Sequence, residues 1–215
     1  MLTLYTYFRS SASFRVRIAL ALKGLSYESV PVHLLHDGGE QHGSDFSALN
    51  PTELVPVLRD DAQILAQSLS IIEYLDERYP EHRLLPGDFA GRARVRAIAQ
   101  TIACEIHPLN NLRVLQYLER TLGVDSASRQ DWYAHWLTLG FAALERMLAK
   151  SPETGQFCHG DHPTLADCCL VPQVYNARRF NIPMADYPTL CRINDHCMQL
   201  AAFQQSSPEC QPDAT

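Results

Sequence analysis

Three serines stand where the first apolar run of the chain ends. Ser10, Ser11 and Ser13 follow a predicted strand at 2–6 and surround the N-terminus of a predicted helix at 11–23. Serine is a frequent helix N-cap, and capping is one explanation of the cluster. The other is chemical, because the N–H groups of a helix N-terminus and nearby hydroxyls stabilise an anion, including a thiolate. The residues alone leave both explanations open.

Two further segments could contact a peptide-like ligand. Pro56 opens a short predicted strand at 55–58, and a cis Val55–Pro56 bond would present the Val55 backbone to an extended ligand. The alternative is an ordinary proline at the start of an edge strand. Gln67 and Ser68 begin a predicted helix, where their side chains either cap the helix or bind a carboxylate.

The elements that position these residues follow the pattern of a small α/β domain. Over the first 85 residues, strand and helix signals alternate in the order β-α-β-α-β-β-α. Residues 80–91 hold two prolines and two glycines, which is typical of a linker. Later apolar spacings are helical, so we predict an α/β domain at 1–82 and an all-α domain at 90–215. The polar tail after Phe203 predicts loosely packed, extended chain.

Composition argues against several classes of function. The net charge is −6 and no Lys/Arg block of five or more occurs, so the chain lacks the basic footprint of nucleic-acid binding. It has no apolar run of about 18 residues, which predicts no membrane span. The N-terminal residues do not have the pattern of a secretory signal. Seven cysteines without a Cys-x-x-Cys pair indicate reduced thiols. Cys191, His196 and Cys197 do not complete four ligands, so we predict no metal and a packed helix face instead.

The segment from Ser10 to Leu20 resembles the signature of the zeta-class glutathione transferases, which include maleylacetoacetate and maleylpyruvate isomerases. Similar segments follow in the family's order nearly to the end of the chain, at 37–41, 49–51, 55–56, 67–68, 84–86, 108–112, 165–174 and 211–213. The resemblance implies the glutathione transferase fold, with a thioredoxin-like domain before the helical one. It also implies glutathione as cofactor and a homodimer, and the reduced thiols predict a cytoplasmic location.

The resemblance assigns the glutathione contacts by position. Ser10 and Ser11 would face the sulfur, and Val55 would pair with the cysteinyl backbone beside a cis Pro56. One departure from the family is Ala12, where many members have cysteine. Because glutathione supplies the sulfur, we expect this loss to be tolerated.

The two ends of glutathione have their own contacts in the resemblance. Gln67 and Ser68 would hold the γ-glutamyl end, and Gln41 the glycyl end. His107 and Asn111 are four residues apart on one predicted helix face, beside a kink expected at Pro108. There the resemblance implies further contacts to glutathione or substrate, with the neighbouring Asn110 reaching glutathione across the dimer interface. A structural role is the alternative for His107.

Arginines are the candidates for binding substrate carboxylates, because a guanidinium matches a carboxylate in bidentate geometry. Arg9 directly precedes the serines, and we expect it to act in catalysis with Ser10 and Ser11. Arg179 resembles the helical-domain arginine of the family, and Arg113 is a weaker candidate. For each, a solvated surface arginine is the alternative. Thr164 and Asp167 have the spacing of a capping box, and we assign them to folding.

The function that the resemblance implies is cis-trans isomerisation of a maleyl diketo acid, maleylacetoacetate to fumarylacetoacetate. Reversible addition of a thiolate to the double bond allows rotation, with glutathione regenerated. Maleylpyruvate is the alternative substrate. A second class is glutathione conjugation, or dehalogenation of small anionic electrophiles. A third is a non-catalytic binding protein on the same fold, against which the intact glutathione-contact set argues.

Overall fold

The first strand of the chain pairs on both sides within a four-stranded mixed sheet of order β2-β1-β3-β4. These strands are β1 (Leu2–Thr6), β2 (Tyr27–Pro31), β3 (Val57–Asp60) and β4 (Gln63–Ala66). β1 runs parallel to β2, whereas the β1–β3 and β3–β4 pairs are antiparallel. The sheet belongs to a computed structural model that describes residues 1–214.

Three helices accompany the sheet: α1 (Ser11–Leu22), α2 (Ser44–Leu49) and α3 (Ser68–Arg78). The interior of α1 is buried almost without interruption from Ser13 to Leu20, arginines included. A helix buried on most of its surface needs partners for every charged group, since an unpaired buried charge is costly. The order of elements is the one predicted, but β3 begins at Val57 and not at Val55. The segment between β2 and α2 holds two short 3-10 turns, His36–Gly38 and Glu40–His42.

A second compact unit, Pro86–Cys197, is helical. Its helices are α4 (Phe89–Gln100), α5 (Leu112–Arg120), α6 (Ser126–Ala149), α7 (Leu165–Arg179) and α8 (Pro188–Cys197). A π-helical turn, Thr101–Ile106, continues α4. It packs against Gly140 of α6, where an added Cβ would collide with the Ile106 side chain. Within residues 1–214, no helix combines the length and apolarity needed to cross a bilayer.

The tail of the chain differs from the prediction. From Met198 onward, the described residues form one compact unit with Met1–Leu85, whereas the predicted domains place this segment with 90–215. The tail is not loose extended chain: it forms α9 (Ala201–Gln205) and a 3-10 turn, Pro208–Cys210. Phe203 is completely buried, so its aromatic side chain helps to anchor the segment.

Candidate functional site

The loop between β1 and α1 presents the serine cluster. Ser10 has extended backbone angles and is the N-cap of α1, with its Oγ accepting a hydrogen bond from the Ser13 N–H at 3.2 Å. The capping explanation of Ser10 is therefore correct. It does not exclude the chemical one, because a hydroxyl that accepts through a lone pair still has its own proton to donate. Ser11 is buried, and Ser10 is half-buried.

Arg9 occupies the exposed side of the same loop. Its guanidinium lies 4.7 Å from the centre of the Phe8 ring, a cation–π distance that favours one side-chain position over free rotation in solvent. This contact holds the guanidinium at the loop whose next residue, Ser10, caps α1. An arginine so placed can attract an anion to the mouth of the loop.

The segment before β3 has the predicted peptide geometry. The Val55–Pro56 bond is cis, as the resemblance implies. Val55 lies outside the ladder, since the pairing of β1 with β3 begins at the Tyr5–Val57 pair. The alternative, an ordinary proline at the start of an edge strand, is therefore wrong.

Gln67 and Ser68 start α3, but not as a side-chain cap. Gln67 is the N-cap with φ 70° and ψ 115°, and its side chain makes no capping hydrogen bond. A glutamine with positive φ is uncommon, costs about 1–3 kcal/mol, and such residues cluster at ligand sites. Ser68 is buried, and its Oγ accepts from Arg15 Nη1 at 3.2 Å. A helix N-terminus beside a buried guanidinium suits a carboxylate.

The Gln41 side chain, in the second 3-10 turn, is confined by contacts with His42 and Gly39. Its Nε2 lies 3.0 Å from His42 Nε2, and His42 Nδ1 lies 2.6 Å from Glu53 Oε2. A Cβ at Gly39 would collide with the Gln41 carboxamide. Gln41 Oε1 is buried without a hydrogen-bond partner among the described residues. An orphaned amide oxygen, with an N–H of the same group still to donate, fits the end of a peptide, which offers both an N–H and a carboxylate.

In the second unit, the segment around Pro108 is not the predicted helix. Residues 107–111 form a turn between the π-helical segment and α5, because Pro108 has no N–H to continue the ladder. Asn111 caps α5, accepting from the Arg113 N–H at 3.1 Å, and its Nδ2 lies 3.5 Å from His107 Nε2. The shared helix face predicted for His107 and Asn111 is wrong, although the two side chains do meet.

Two candidate residues of the second unit belong to one connected group. Asn110 Nδ2 donates to the Tyr133 carbonyl at 3.1 Å, and the Tyr133 ring stacks on Phe180 with centroids 3.9 Å apart. Arg179 places its guanidinium 5.0 Å from the Phe180 ring and is exposed. Burial raises the pKa of Tyr133, and the nearby charge of Arg179 opposes that rise. Arg113 is exposed on α5, outside this group.

Sequence reasoning missed two arginines of α1. Arg15 and Arg17 are 2% and 1% exposed, although nothing in the sequence distinguishes them from surface arginines except their apolar neighbours. Burial lowers the pKa of Arg17 to about 10, which still leaves it charged at neutral pH. No group of three or more His, Cys, Asp or Glu side chains within residues 1–214 is arranged to hold a metal ion.

Comparison with known proteins supplies the relatives of this chain. Family models for the N-terminal and C-terminal domains of glutathione S-transferase match residues 4–83 and 130–190. A probable maleylacetoacetate isomerase of Vibrio cholerae is 54% identical over 213 residues, which cover 99% of this chain and 98% of the relative.

Two solved structures have a similar fold. A holo maleylpyruvate isomerase, described as a bacterial glutathione S-transferase of the zeta class, superposes with a TM-score of 0.96 at 48% identity, covering 99% of this chain and 100% of that one. A maleylacetoacetate isomerase of Methylobacterium extorquens with bound malonate and glutathione gives a TM-score of 0.95 at 40% identity, covering 99% of each chain.

Proposed function

Because this chain belongs to the zeta class of glutathione transferases, we propose that it isomerises the cis double bond of a maleyl diketo acid, with glutathione as cofactor. Maleylacetoacetate is the first candidate substrate and fumarylacetoacetate its product. The observation that supports this best is Ser10, which caps α1 and keeps a hydroxyl proton to donate at the helix N-terminus. When bound, glutathione supplies the thiolate that adds reversibly to the alkene and so permits rotation.

The first task of the protein is to keep that sulfur ionised. A thiol titrates near 8.5, and each pKa unit of lowering corresponds to about 1.4 kcal/mol. A hydroxyl hydrogen bond to a charged group contributes about 1.5–3 kcal/mol, and a helix N-terminus adds roughly 0.3–2 kcal/mol. Ser10 and Ser11 at the start of α1 are together sufficient for a shift of one to two units on this order-of-magnitude reckoning.

The second task is to hold the ends of the tripeptide. We assign the γ-glutamyl end to Gln67 and Ser68, where Arg15 adds a buried positive charge beside the start of α3. The cysteinyl backbone is assigned to Val55, which lies outside the sheet ladder. The glycyl end is assigned to Gln41, whose buried carboxamide oxygen awaits a donor.

The third task is to bind the substrate's carboxylates and the charge that develops on its carbonyl. Arg9 is assigned to this role because it is exposed and next to Ser10. Arg179 is the second candidate, supported by its fixed position over Phe180, and Arg113 the third. We assign His107, Asn110 and Asn111 to further contacts with glutathione.

Maleylpyruvate is the rival substrate, favoured by the similarity to the holo maleylpyruvate isomerase. An absorbance assay of both substrates, each with and without glutathione, tests the proposal. We expect isomerisation that requires glutathione and a higher kcat/KM for maleylacetoacetate. A higher kcat/KM for maleylpyruvate would reverse the substrate assignment, whereas equal rates without glutathione would refute the mechanism.

We also propose that the chain forms a homodimer in the cytoplasm. Exposed apolar side chains on the helical unit support a protein interface, with Phe89 exposed by 94% and Tyr117 by 56%. The seven cysteines are all free thiols, which suits a reducing compartment. Sedimentation equilibrium and cell fractionation test these two statements, and a monomer at micromolar concentration would contradict the first.

A further inference from the structure

The tail of the chain touches the loop that carries Ser10. Asp213 Oδ2 accepts a hydrogen bond from the Phe8 N–H at 2.9 Å, across 205 positions of sequence. The tail carbonyl of Ser206 accepts from Arg17 Nε at 3.0 Å. Two separate tail residues thus reach the loop and the helix that comes after it.

Arg17 holds the same loop from the other side. Its Nη2 donates to the Phe8 carbonyl at 3.0 Å, and its Nη1 donates to the Tyr7 carbonyl at 3.4 Å. Nη1 also donates to Thr6 Oγ1 at 3.1 Å. The N–H of Phe8 is bound by Asp213 and its C=O by Arg17, so both polar groups of this residue's backbone are fixed.

The loop passes this constraint directly to Ser10. The Tyr7 carbonyl that accepts from Arg17 also accepts from the Ser10 N–H at 2.9 Å. Arg9 lies between the two fixed residues, Phe8 and Ser10. A fork of guanidinium donors defines such positions more sharply than a single hydrogen bond, because several directions are fixed at once.

The charges of Arg17 and Asp213 complement each other. Arg17 is 1% exposed, and a cation so deeply buried requires a compensating anion. Burial lowers the pKa of Arg17, and Tyr27 and, after it, the Asp213 carboxylate act electrostatically in the opposite direction. The other oxygen of Asp213, Oδ1, is buried and makes no hydrogen bond among residues 1–214, which is consistent with a role of charge and of one directed bond to Phe8.

We propose that Asp213 and Arg17 are positioning residues that set the place of Ser10 and Arg9, so that the tail is part of the catalytic apparatus. This inference rests on the proposed function, in which Ser10 stabilises the glutathione thiolate. It assigns the tail a role that acts through the loop and not by contact with substrate.

Three variants separate positioning from general stability. Asp213→Ala removes both the charge and the acceptor for the Phe8 N–H. Asp213→Asn removes the charge but retains an acceptor oxygen. Glu209→Gln is the matched control, a change at an exposed carboxylate in the same tail. For each variant we would measure kcat, the KM for glutathione, the melting temperature, and the thiol pKa of bound glutathione from thiolate ultraviolet absorbance against pH.

We expect Asp213→Ala to lower kcat about tenfold and to raise the pKa of the bound thiol by about one unit. The reason is that a displaced Ser10 would lose its hydrogen bond to the thiolate, and one charge-assisted hydrogen bond is of that size. Asp213→Asn should recover part of both effects, and Glu209→Gln should match the parent protein. A thiol pKa and kcat in Asp213→Ala equal to those of Glu209→Gln would overturn the proposal. So would a loss of kcat that only tracks the fall in melting temperature, with the thiol pKa unchanged.

The thiol titration also distinguishes this inference from the proposed function. If the parent protein binds glutathione but isomerises no maleyl diketo acid, the proposed function fails. A raised thiol pKa in Asp213→Ala would then still support the positioning role, and an unchanged one would refute it. If glutathione does not bind at all, both proposals fail together.

Discussion

Ser10 combines two roles that are usually offered as alternatives. Its Oγ accepts from the Ser13 N–H, which makes it a helix cap, while its hydroxyl proton stays available to an anion. The sequence predicted both roles but could not combine them, because which lone pair and which proton are used is a matter of side-chain direction. The same limit explains Gln67, where a cap was one open interpretation and the structure has a strained backbone with no side-chain cap.

Ser10→Ala should therefore lose both stability and activity. Removal of the cap should cost about 1 kcal/mol of unfolding free energy. Removal of the hydroxyl donor should reduce kcat by roughly ten- to a hundredfold, since a hydrogen bond to a charged group is worth about 1.5–3 kcal/mol. Urea unfolding and the isomerase assay measure the two effects separately.

The control for this change is Asp125→Ala, which removes the N-cap of α6. It should lower stability while leaving kcat unchanged. A Ser10→Ala protein with near-normal kcat would show that another group, such as Ser11, stabilises the sulfur.

Long-range contacts of single residues could not be predicted. Neither Arg17 nor Asp213 has a periodic or local signature, and the hydrogen bond from the Phe8 N–H to Asp213 spans 205 residues, so only the fold defines it. The cis Val55–Pro56 bond and the Thr164–Asp167 box could be foreseen because local sequence and resemblance specify them. The position of Arg15 among apolar helix residues is a weak indication of burial, and it can be interpreted only once the structure shows that the side chain is buried.

At the scale of the element, α7 begins with the predicted capping box. Asp167 is completely buried and accepts from the N–H groups of Cys158 and Thr164 and from the Thr164 hydroxyl, each at 2.8 Å. Asp167→Ala leaves these buried donors without an acceptor, so we expect a loss of about 3 kcal/mol or more in unfolding free energy. Urea unfolding monitored by circular dichroism measures it.

The Asp125→Ala protein is again the comparison, because Asp125 also caps a helix but is exposed. We expect its loss of stability to be distinctly smaller. Equal losses would mean that capping alone, and not burial of the donors, accounts for the role of Asp167.

The buried cysteines in and near α7 and α8 should be chemically inert in the folded protein. Burial raises the pKa of the Cys158, Cys168 and Cys197 thiols, with the neighbouring Asp167 raising those of Cys158 and Cys197 further. At pH 8 these groups carry almost no thiolate, the form that reacts. Ellman's reagent should therefore react quickly with the exposed Cys104 and Cys210, and with the buried thiols only after denaturation.

Mass spectrometry of alkylated peptides identifies which cysteines have reacted. Fast labelling of Cys158 or Cys168 in the native protein would contradict the burial of these thiols. Cys191 is half-buried with a pKa raised by burial, so its labelling should be intermediate.

The order of helices and strands could be predicted from the sequence, but one helix break could not. Strands and helices of the first 85 residues follow from apolar periodicity, and their order is the one observed. The turn at 107–111 could not be foreseen as a helix break, because apolar spacing continues through Pro108 and proline also occurs within α7, at Pro172. Pro172 lies inside a helix whereas Pro108 lies in a turn, so the presence of a proline does not by itself predict where a helix ends.

At the scale of the whole molecule, glutathione should stabilise the native state by binding it and not the unfolded chain. At a ligand concentration of about a hundred times Kd, this amounts to about 2.7 kcal/mol. For a chain of this size, the melting temperature should rise by roughly 5–10 °C. Removal of glutathione by dialysis should reverse the rise, as measured by differential scanning fluorimetry.

Cysteinylglycine, which lacks the γ-glutamyl group, is the matched control ligand. If Gln67 and Ser68 bind that group, the dipeptide should stabilise the protein much less at equal concentration. Equal stabilisation by both ligands would contradict the assignment of these two residues.

The structure of the tail is the feature of the whole molecule that amino-acid composition predicted least well. A polar, proline-containing segment predicts loose chain, yet Phe203, Ser206 and Pro208 are all buried. One aromatic side chain and a few directed hydrogen bonds are enough to order it, and neither changes the average composition of the segment. Grouping of the tail with the first unit is likewise invisible to periodicity, which carries no information on which distant element a helix contacts.

The π-helical turn at Thr101–Ile106 has a consequence for tolerance to insertions and deletions. Such a turn holds one more residue than an α-helical turn of equal length. Deleting any one residue there would restore α-helical winding and rotate the downstream segment by about 100°. Ile106 would leave its contact with Gly140, and Asn110 its bond to Tyr133. This short stretch should therefore keep its length among functional variants, whereas the exposed turn around Gly123 can gain or lose residues freely.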